Sequence, residues 1–152
     1  MSPLTFTQSC EIDAPVDRLR EWHFEPGAFA RLTPPWEKAR LISLPEALTD
    51  GAVAVIEVGI IGPLKQRWIA VHEITDTGFI DRQQEGPFAF WEHEHRFEPI
   101  TPTTSRLTDT IRYRLPLGWI GRIFGKPFVE RKLDRLFRYR HAVTTAALSS
   151  AP

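Results

Sequence analysis

"GPFAFWEHEHRFEP", residues 86–99, places bulky and charged side chains at alternate positions. One face of this stretch carries Trp91, His93, His95 and Phe97, and the other carries Glu92, Glu94 and Arg96. A period of two residues is typical of a β-strand that buries one face. Since the charged face belongs in water, the stretch predicts a strand that turns two histidines toward the interior.

Neighbouring stretches repeat this pattern and extend the predicted sheet. The inward set is Trp68, Ala70 and His72 in residues 64–73, and Leu107, Asp109, Ile111, Tyr113 and Leu115 in residues 106–115. Residues 79–86 are ambiguous: if Phe79 points inward, Asp81 and Gln83 do so too. A further alternating stretch, residues 5–14, adds Gln8 to the inward face.

Turn-forming clusters indicate how many strands there are. They lie at 48–51, 61–63, 75–78, 85–87 and 99–104 and divide residues 37–116 into six predicted strands. The connections are short, which favours antiparallel pairing. Between the first strand and these six, residues 14–23 and 26–36 predict two short helices, the first with Asp13 as its possible cap.

A change of period marks the last segment as a helix. Apolar or long side chains recur at steps of 4, 3, 4, 3 and 4 at Val129, Leu133, Leu136, Arg140, Val143 and Ala147. This spacing predicts an amphipathic helix from near Pro127 to about Leu148. We therefore predict an α+β protein with one domain, residues 1–148, and a frayed tail, residues 149–152.

Composition and charge exclude several function classes. The net charge is zero, yet residues 119–152 hold seven Lys and Arg against two Asp and Glu. We interpret these basic residues as a solvated helix face, in preference to a surface for nucleic acid or an anionic membrane. Gly-rich phosphate loops and a Gly-x-Ser-x-Gly elbow are absent from the sequence.

The N-terminus and the single cysteine bear on localisation. "MSPLTFTQSCEIDAP" has no basic start followed by an apolar run, and no stretch has the length of a membrane span. Cys10 has no partner for an intramolecular disulfide. We expect a cytoplasmic protein with no transmembrane segment.

The predicted inward face is partly polar, with Gln8, His72, His93, His95 and Asp109 among aromatic and aliphatic side chains. Burying these groups without partners would cost several kcal/mol. Two arrangements resolve this: a fully hydrogen-bonded internal network, or a cavity in which they meet a ligand.

Five stretches resemble the START-like (SRPBCC) superfamily, which includes polyketide cyclase/dehydrase-like proteins. They are "IDAP" (12–15), "WHFEPGAFARLTPPWE" (22–37), "GPLKQRWIAVH" (62–72), "FIDRQQEGPFAFWEHEHRF" (79–97) and "YRLPLG" (113–118). The resemblance implies a helix-grip fold, in which a seven-stranded antiparallel sheet wraps around a long C-terminal helix. It also implies a cavity for a lipid, quinone, polyketide or other small apolar molecule. Domains of this type also occur fused to sugar-epimerase-like domains, so an epimerase-like protein is a possible partner by analogy.

We therefore expect the chain to bind a small hydrophobic molecule that carries some polar groups. The expected ligand-binding residues are Gln8, Trp68, His72, Gln83, Trp91, His93, His95, Phe97, Asp109, Tyr113, Leu133, Leu136, Phe137 and Arg140. One alternative is a cofactor-independent cyclase or dehydratase that uses His72, His95 and Asp109 as acid and base. A second alternative is an interaction domain with a filled core and a basic docking helix.

Three smaller expectations concern the other histidines and metals. His93 and His95 could share a metal with His72, Asp81 or Asp109, but without clustered cysteines we predict no metal and no cofactor. We expect His23 at the surface and His141 as an ordinary residue of the basic helix. Arg140 is expected to reach a carboxylate such as Asp109 or an anionic ligand group, or else to extend into solvent.

Overall fold

A computed structural model describes residues 1–59 and 62–149. The elements in chain order are β1 (Leu4–Ile12), α1 (Val16–Phe24), α2 (Ala28–Arg31), β2 (Ala39–Ser43), β3 (Val53–Gly59), β4 (Lys65–Thr75), β5 (Gly78–Glu85), β6 (Phe90–Pro99), β7 (Ser105–Arg114) and α3 (Gly118–Ser149). The predicted turn at 61–63 includes Ile61, and most of the predicted tail is residues 150–152. Ile61 and residues 150–152 lie outside the described residues.

The seven strands form one antiparallel sheet in the order β1-β7-β6-β5-β4-β3-β2. This confirms the α+β helix-grip fold, with the two short helices between β1 and β2. The first strand, β1, pairs with the last, β7, from Leu4 opposite Tyr113 to Ile12 opposite Ser105. The strand alternation holds in detail: β7 is buried at every second residue from Ser105 to Tyr113.

Helix α1 packs one face against the sheet and buries Leu19, Trp22 and His23. The expected surface position of His23 is therefore wrong, because this residue shares the buried face with Leu19 one turn earlier. Asp13 does not cap the helix: Pro15 occupies the N-cap position, and no side chain makes a capping hydrogen bond there.

Helix α3 begins at Gly118, about nine residues before the predicted start, and Pro127 lies inside it. Its buried row is Leu133, Phe137, His141, Thr144 and Leu148. After Leu133, each residue of this row lies one position later in the sequence than the corresponding residue of the predicted stripe. His141 is only 5% exposed and belongs to the buried row, so the expectation that it is an ordinary residue of the basic helix is wrong.

Two apolar clusters form the core. One joins α1 to the sheet and contains Ile12, Leu19, Trp22, Phe79, Phe97, Leu107 and Leu148 among others. The other joins α3 to the sheet and contains Leu4, Ile111, Tyr113, Leu133 and Phe137. His95 stacks on Phe79 of the first cluster, with ring centroids 4.0 Å apart, and His93 meets Phe137 of the second at 5.2 Å. The histidines of β6 therefore lie between the two clusters.

Among the helices of residues 1–59 and 62–149, none is long and apolar enough to cross a membrane.

Candidate functional site

Asp109 is the centre of a buried polar network. Its carboxylate accepts hydrogen bonds from His93 Nε2 at 2.7 Å and from His141 Nε2 at 2.6 Å. His95 Nδ1 lies 3.2 Å from the same carboxylate. Because these histidines come from β6 and α3, Asp109 on β7 ties the sheet to the long helix.

Asp81 on β5 forms the second half of the network. Its Oδ2 accepts a hydrogen bond from His95 Nε2 at 2.9 Å, and its Oδ1 lies 2.9 Å from Nε2 of His72. The other ring nitrogen of His72 is 2.9 Å from the carbonyl oxygen of Ala52. His95 is therefore held between two carboxylates.

The two carboxylates keep two histidines protonated. Burial alone would lower the pKa of His95, but the hydrogen bonds and charges of Asp109 and Asp81 outweigh it and raise the pKa to about 9. Burial opposes protonation of His141 too, yet its hydrogen bond to Asp109 raises its pKa to about 9. Burial by itself would raise the pKa values of both carboxyl groups, but their imidazole partners hold them below their usual range. Burial alone would lower the pKa of His72, but its hydrogen bond and charge interaction with Asp81 raise it. At neutral pH the positive charges of His95 and His141 thus lie against the two carboxylates.

His93 has the opposite protonation state. Burial and the neighbouring charge of His95 lower the pKa of His93 to about 4, despite its bond to Asp109. The neutral ring donates from Nε2, so its Nδ1 carries a lone pair, which faces Asp81 Oδ2 at 4.0 Å. Burial also lowers the pKa of His23 to about 4, and its Nδ1 lies 2.9 Å from the carbonyl oxygen of Leu19.

A cavity of about 500 Å³ opens between the sheet, the α2 region and α3. Asp81, His72, His93 and His95 form part of its sheet wall. Trp68 lies four residues along β4 from His72, roughly 13 Å away, so the wall has a polar part and an aromatic part. The filled core expected for an interaction domain is therefore wrong.

The aromatic part of the wall is built from three rings. Trp68 and Trp91 meet edge to face with centroids 5.1 Å apart, and Phe88 lies 4.7 Å from Trp91. Gln83 holds Phe88 in place, because its side-chain amide donates to the carbonyl oxygen of Phe88 at 2.8 Å.

Arg140 brings a cation to the helix side of the cavity. Its Nε donates to the carbonyl oxygen of Leu32 at 3.1 Å, and its guanidinium carbon lies 5.3 Å from the ring centre of Phe137. Burial lowers the pKa of Arg140 below its ordinary value. In the part of the chain that the structure describes, no carboxylate lies within 4.0 Å of this guanidinium, so the expected ion pair with Asp109 is not formed.

The structure brings together most of the predicted ligand-binding residues. The cavity wall contains Trp68, His72, Trp91, His93, His95, Leu133, Leu136, Phe137 and Arg140. The other five predicted residues, all within the described ranges, lie outside the wall: Gln8, Gln83, Phe97, Asp109 and Tyr113. Phe97 and Tyr113 fill the core clusters, and Asp109 lies behind the imidazoles that it orients. Ligand contact remains a prediction for the whole set.

The predicted set lacks Asp81 and His141, which belong to the buried network, and His23, which lines the cavity. Strand alternation did place Asp81 beside Phe79, so a firm direction for Phe79 would have been enough to include it. No pattern in the sequence predicts that His141 is buried, because its burial depends on which face of α3 packs against the sheet. The burial of His23 likewise depends on which face of α1 packs against the sheet.

Asp81, His93 and His95 form the one group of described residues with metal-ligand geometry, their ligand atoms lying within 4.8 Å of one another. Two imidazoles and a carboxylate suit Zn²⁺ or Fe²⁺. However, His95 gives both ring N–H groups to carboxylates, so a cation would have to displace a proton from it.

Comparison with solved structures assigns the fold. The Zhui aromatase/cyclase from Streptomyces sp. R1128 superimposes with a TM-score of 0.74 at 16% identity, covering 97% of this chain and 94% of that one. A nucleoside-diphosphate sugar epimerase from Corynebacterium glutamicum gives 0.70 at 25% identity, covering 95% of this chain but 29% of that one. A START superfamily protein from Mycobacterium smegmatis gives 0.61 at 15% identity, covering 95% and 97%. No family model and no curated protein sequence matches the chain.

The sheet order, the long C-terminal helix closing the cavity and these superpositions agree with one another. The chain therefore has the helix-grip fold of the START-like superfamily.

Proposed function

We propose that this protein binds a small, largely apolar molecule, such as a lipid, quinone or polyketide, whose polar group meets the histidine wall. The observation that carries the proposal is the cavity of about 500 Å³, which falls in the range of small-molecule sites and joins an aromatic part to a polar part. The cyclase and START-protein neighbours show the same fold but do not identify the ligand.

The polar contacts follow from which atoms remain available. Both ring nitrogens of His72 and of His95 lie within 3.2 Å of an acceptor oxygen. His93 donates from Nε2 to Asp109, and among the described residues nothing donates to its Nδ1 lone pair. Arg140 offers the N–H groups of its terminal nitrogens from the opposite side. A ligand with a hydrogen-bond acceptor near Arg140 and a donor near His93 would match both.

Two binding experiments test the proposal. Native mass spectrometry of the purified protein would identify any molecule that copurifies with it. Independently, titration with 1-anilinonaphthalene-8-sulfonate, an apolar probe with one anionic group, should saturate at one site and change the fluorescence of Trp68 and Trp91, which line the cavity. Bare protein together with no saturable probe binding would contradict the proposal.

Matched variants locate the probe. Ala70 lines the cavity, so Ala70→Phe should fill part of it and weaken probe binding by about tenfold or more. Ala142→Phe is the control, because Ala142 is exposed on α3 and lies outside the cavity wall. Equal binding by both variants would show that the probe does not occupy this cavity.

A second candidate function is acid–base catalysis of the cyclase or dehydratase type. The observation that favours it is the difference in pKa between two adjacent imidazoles whose ring centroids lie 3.7 Å apart. The pKa of His93 is about 4 and that of His95 about 9. His93 Nδ1 is the free base, and Arg140 could stabilise an enolate oxygen. The geometry thus favours His93 for proton abstraction over the predicted His72 and His95.

Deuterium exchange separates the two functions. In buffered D₂O, an enzyme should speed exchange at the α-carbon of an aryl β-keto ester, followed by NMR. His93→Gln should abolish this exchange while changing probe binding little. A binding protein would show no acceleration, and His93→Gln would change only the affinity.

A further inference from the structure

The first three turns of α3 carry a row of exposed apolar side chains. Leu117 precedes the helix and is 78% exposed, and within the helix Phe124 is 76% and Phe128 65% exposed. Trp119, Ile120 and Ile123 are exposed as well. Large apolar side chains clustered this densely in solvent are typical of a surface that binds something.

The same row becomes basic farther along the helix. Ile120, Phe124, Arg131, Arg135 and Arg138 follow at steps of 4, 7, 4 and 3, which places them along one side of α3. Arg131 lies about 10 Å beyond Phe124 along the axis. We define the docking face as Trp119, Ile120, Ile123, Phe124 and Phe128 with Arg131, Arg135 and Arg138.

Few acidic groups oppose these cations. Asp134 pairs with Arg138, and Glu130 pairs with Lys126. Arg135 lies 4.2 Å above the ring of Trp36. Within residues 1–59 and 62–149, Arg131 has no carboxylate within 4.0 Å. Of the three arginines, Arg138 is thus paired with Asp134, while Arg131 and Arg135 have no carboxylate partner among the described residues. The face therefore combines apolar side chains with the unpaired positive charge of Arg131 and Arg135.

The docking face also borders the cavity. Phe128 belongs to both, and its helix neighbours Val129 and Lys132 line the cavity too. A surface bound at the docking face would therefore lie next to this part of the cavity wall.

We propose that the docking face binds the surface of a lipid bilayer that contains anionic lipids. The aromatic and aliphatic side chains enter the interface, and the arginines contact headgroup phosphates, as in other amphipathic interfacial helices. A second copy of this chain fits less well, because in a symmetric dimer the face would meet itself and place its arginines either against each other or against the apolar side chains of the partner copy. The proposal rests on exposure and charge, and it does not depend on which ligand the cavity holds.

Vesicle flotation tests the proposal with the full chain. The protein should float with vesicles of phosphatidylcholine and phosphatidylglycerol, and much less with phosphatidylcholine alone or at high salt. Ile123→Ser/Phe124→Ser should weaken partitioning by about tenfold or more, and Arg131→Gln/Arg135→Gln by about 25-fold, at about fivefold per arginine. None of these four residues lines the cavity, so the probe titration above should be unchanged in both variants.

Matched controls use exposed residues elsewhere. Leu41→Ser/Ile42→Ser removes apolar side chains from β2, and Arg67→Gln/Arg106→Gln removes charge from the outer face of the sheet. These controls should float like the unchanged protein. The proposal is overturned if the unchanged protein fails to float with anionic vesicles, or if the controls lose as much binding as the test variants. It is also overturned if sedimentation shows a dimer that Ile123→Ser/Phe124→Ser dissociates.

Discussion

Replacing Asp109 by asparagine keeps the shape of the side chain and removes the charge on which the buried network depends. The pKa of His141 is raised from 6.5 to about 9. At about 1.4 kcal/mol per unit, this shift corresponds to about 3 kcal/mol of stability. His95 loses one of its two carboxylate partners as well, so we expect a total loss of about 3–5 kcal/mol in the free energy of unfolding at pH 6.5.

The pH dependence gives a sharper signature than the loss itself. A histidine whose pKa is raised by folding contributes its full stabilisation below pH 6.5 and loses it as the pH rises through about 9. The unchanged protein should therefore lose stability between pH 6.5 and 9. Asp109→Asn has already lost most of that contribution, so the difference between the two proteins should shrink over the same range.

Urea unfolding followed by far-ultraviolet circular dichroism at pH 6.5, 7.5 and 9 measures both quantities. Asp134→Asn is the control, since Asp134 pairs with Arg138 on the exposed side of α3 and should change stability by no more than about 0.5 kcal/mol. A loss below about 1 kcal/mol for Asp109→Asn at pH 6.5 would refute the reasoning. So would a difference that stays constant from pH 6.5 to 9.

Two further substitutions test the packing around the cavity. Leu133 and Leu136 both line the cavity, but Leu133 is 5% exposed within the core cluster, whereas Leu136 is only partly buried. Leu133→Ala should therefore cost about 2–4 kcal/mol, and Leu136→Ala under about 1.5 kcal/mol. Equal losses in urea unfolding would contradict this difference in burial. A Cβ on Gly78 would collide with the carbonyl oxygen of His95, so Gly78→Ala should cost about 2–3 kcal/mol, and a loss near zero would contradict the β5–β6 register. Gly51→Ala, where φ is 78° and no neighbour lies within 4 Å, should cost only about 1–2 kcal/mol.

Strand alternation was the most reliable signal in the sequence. Charged residues such as Glu92, Glu94 and Arg112 fixed the outward faces, so the inward direction of His93 and Asp109 followed without any knowledge of tertiary packing. Strand alternation could not predict the hydrogen-bond partners of Asp109. This carboxylate lies close to three imidazoles from two elements, and only the assembled fold brings these together.

The helix was harder to predict for two physical reasons. Its first turns contain Gly121, Gly125 and Pro127, which disfavour helix, and their exposed apolar neighbours show no buried period. Farther on, Leu136 and Phe137 are both apolar, so periodicity could not decide which of them faces the sheet. The predicted stripe followed Leu136 and Arg140, which line the cavity, and therefore missed the buried His141 beside them.

The pairing of β1 with β7 has a consequence for synthesis of the chain on the ribosome. The two strands are separated by 92 residues, from Ile12 to Ser105. At about 5–20 residues per second, β1 waits roughly 5–20 s before its partner exists. During that interval its alternating Phe6, Cys10 and Ile12 have no sheet to cover them. The nascent chain thus exposes an unpaired, half-apolar strand for most of translation, which makes early capture by a chaperone an advantage for this topology.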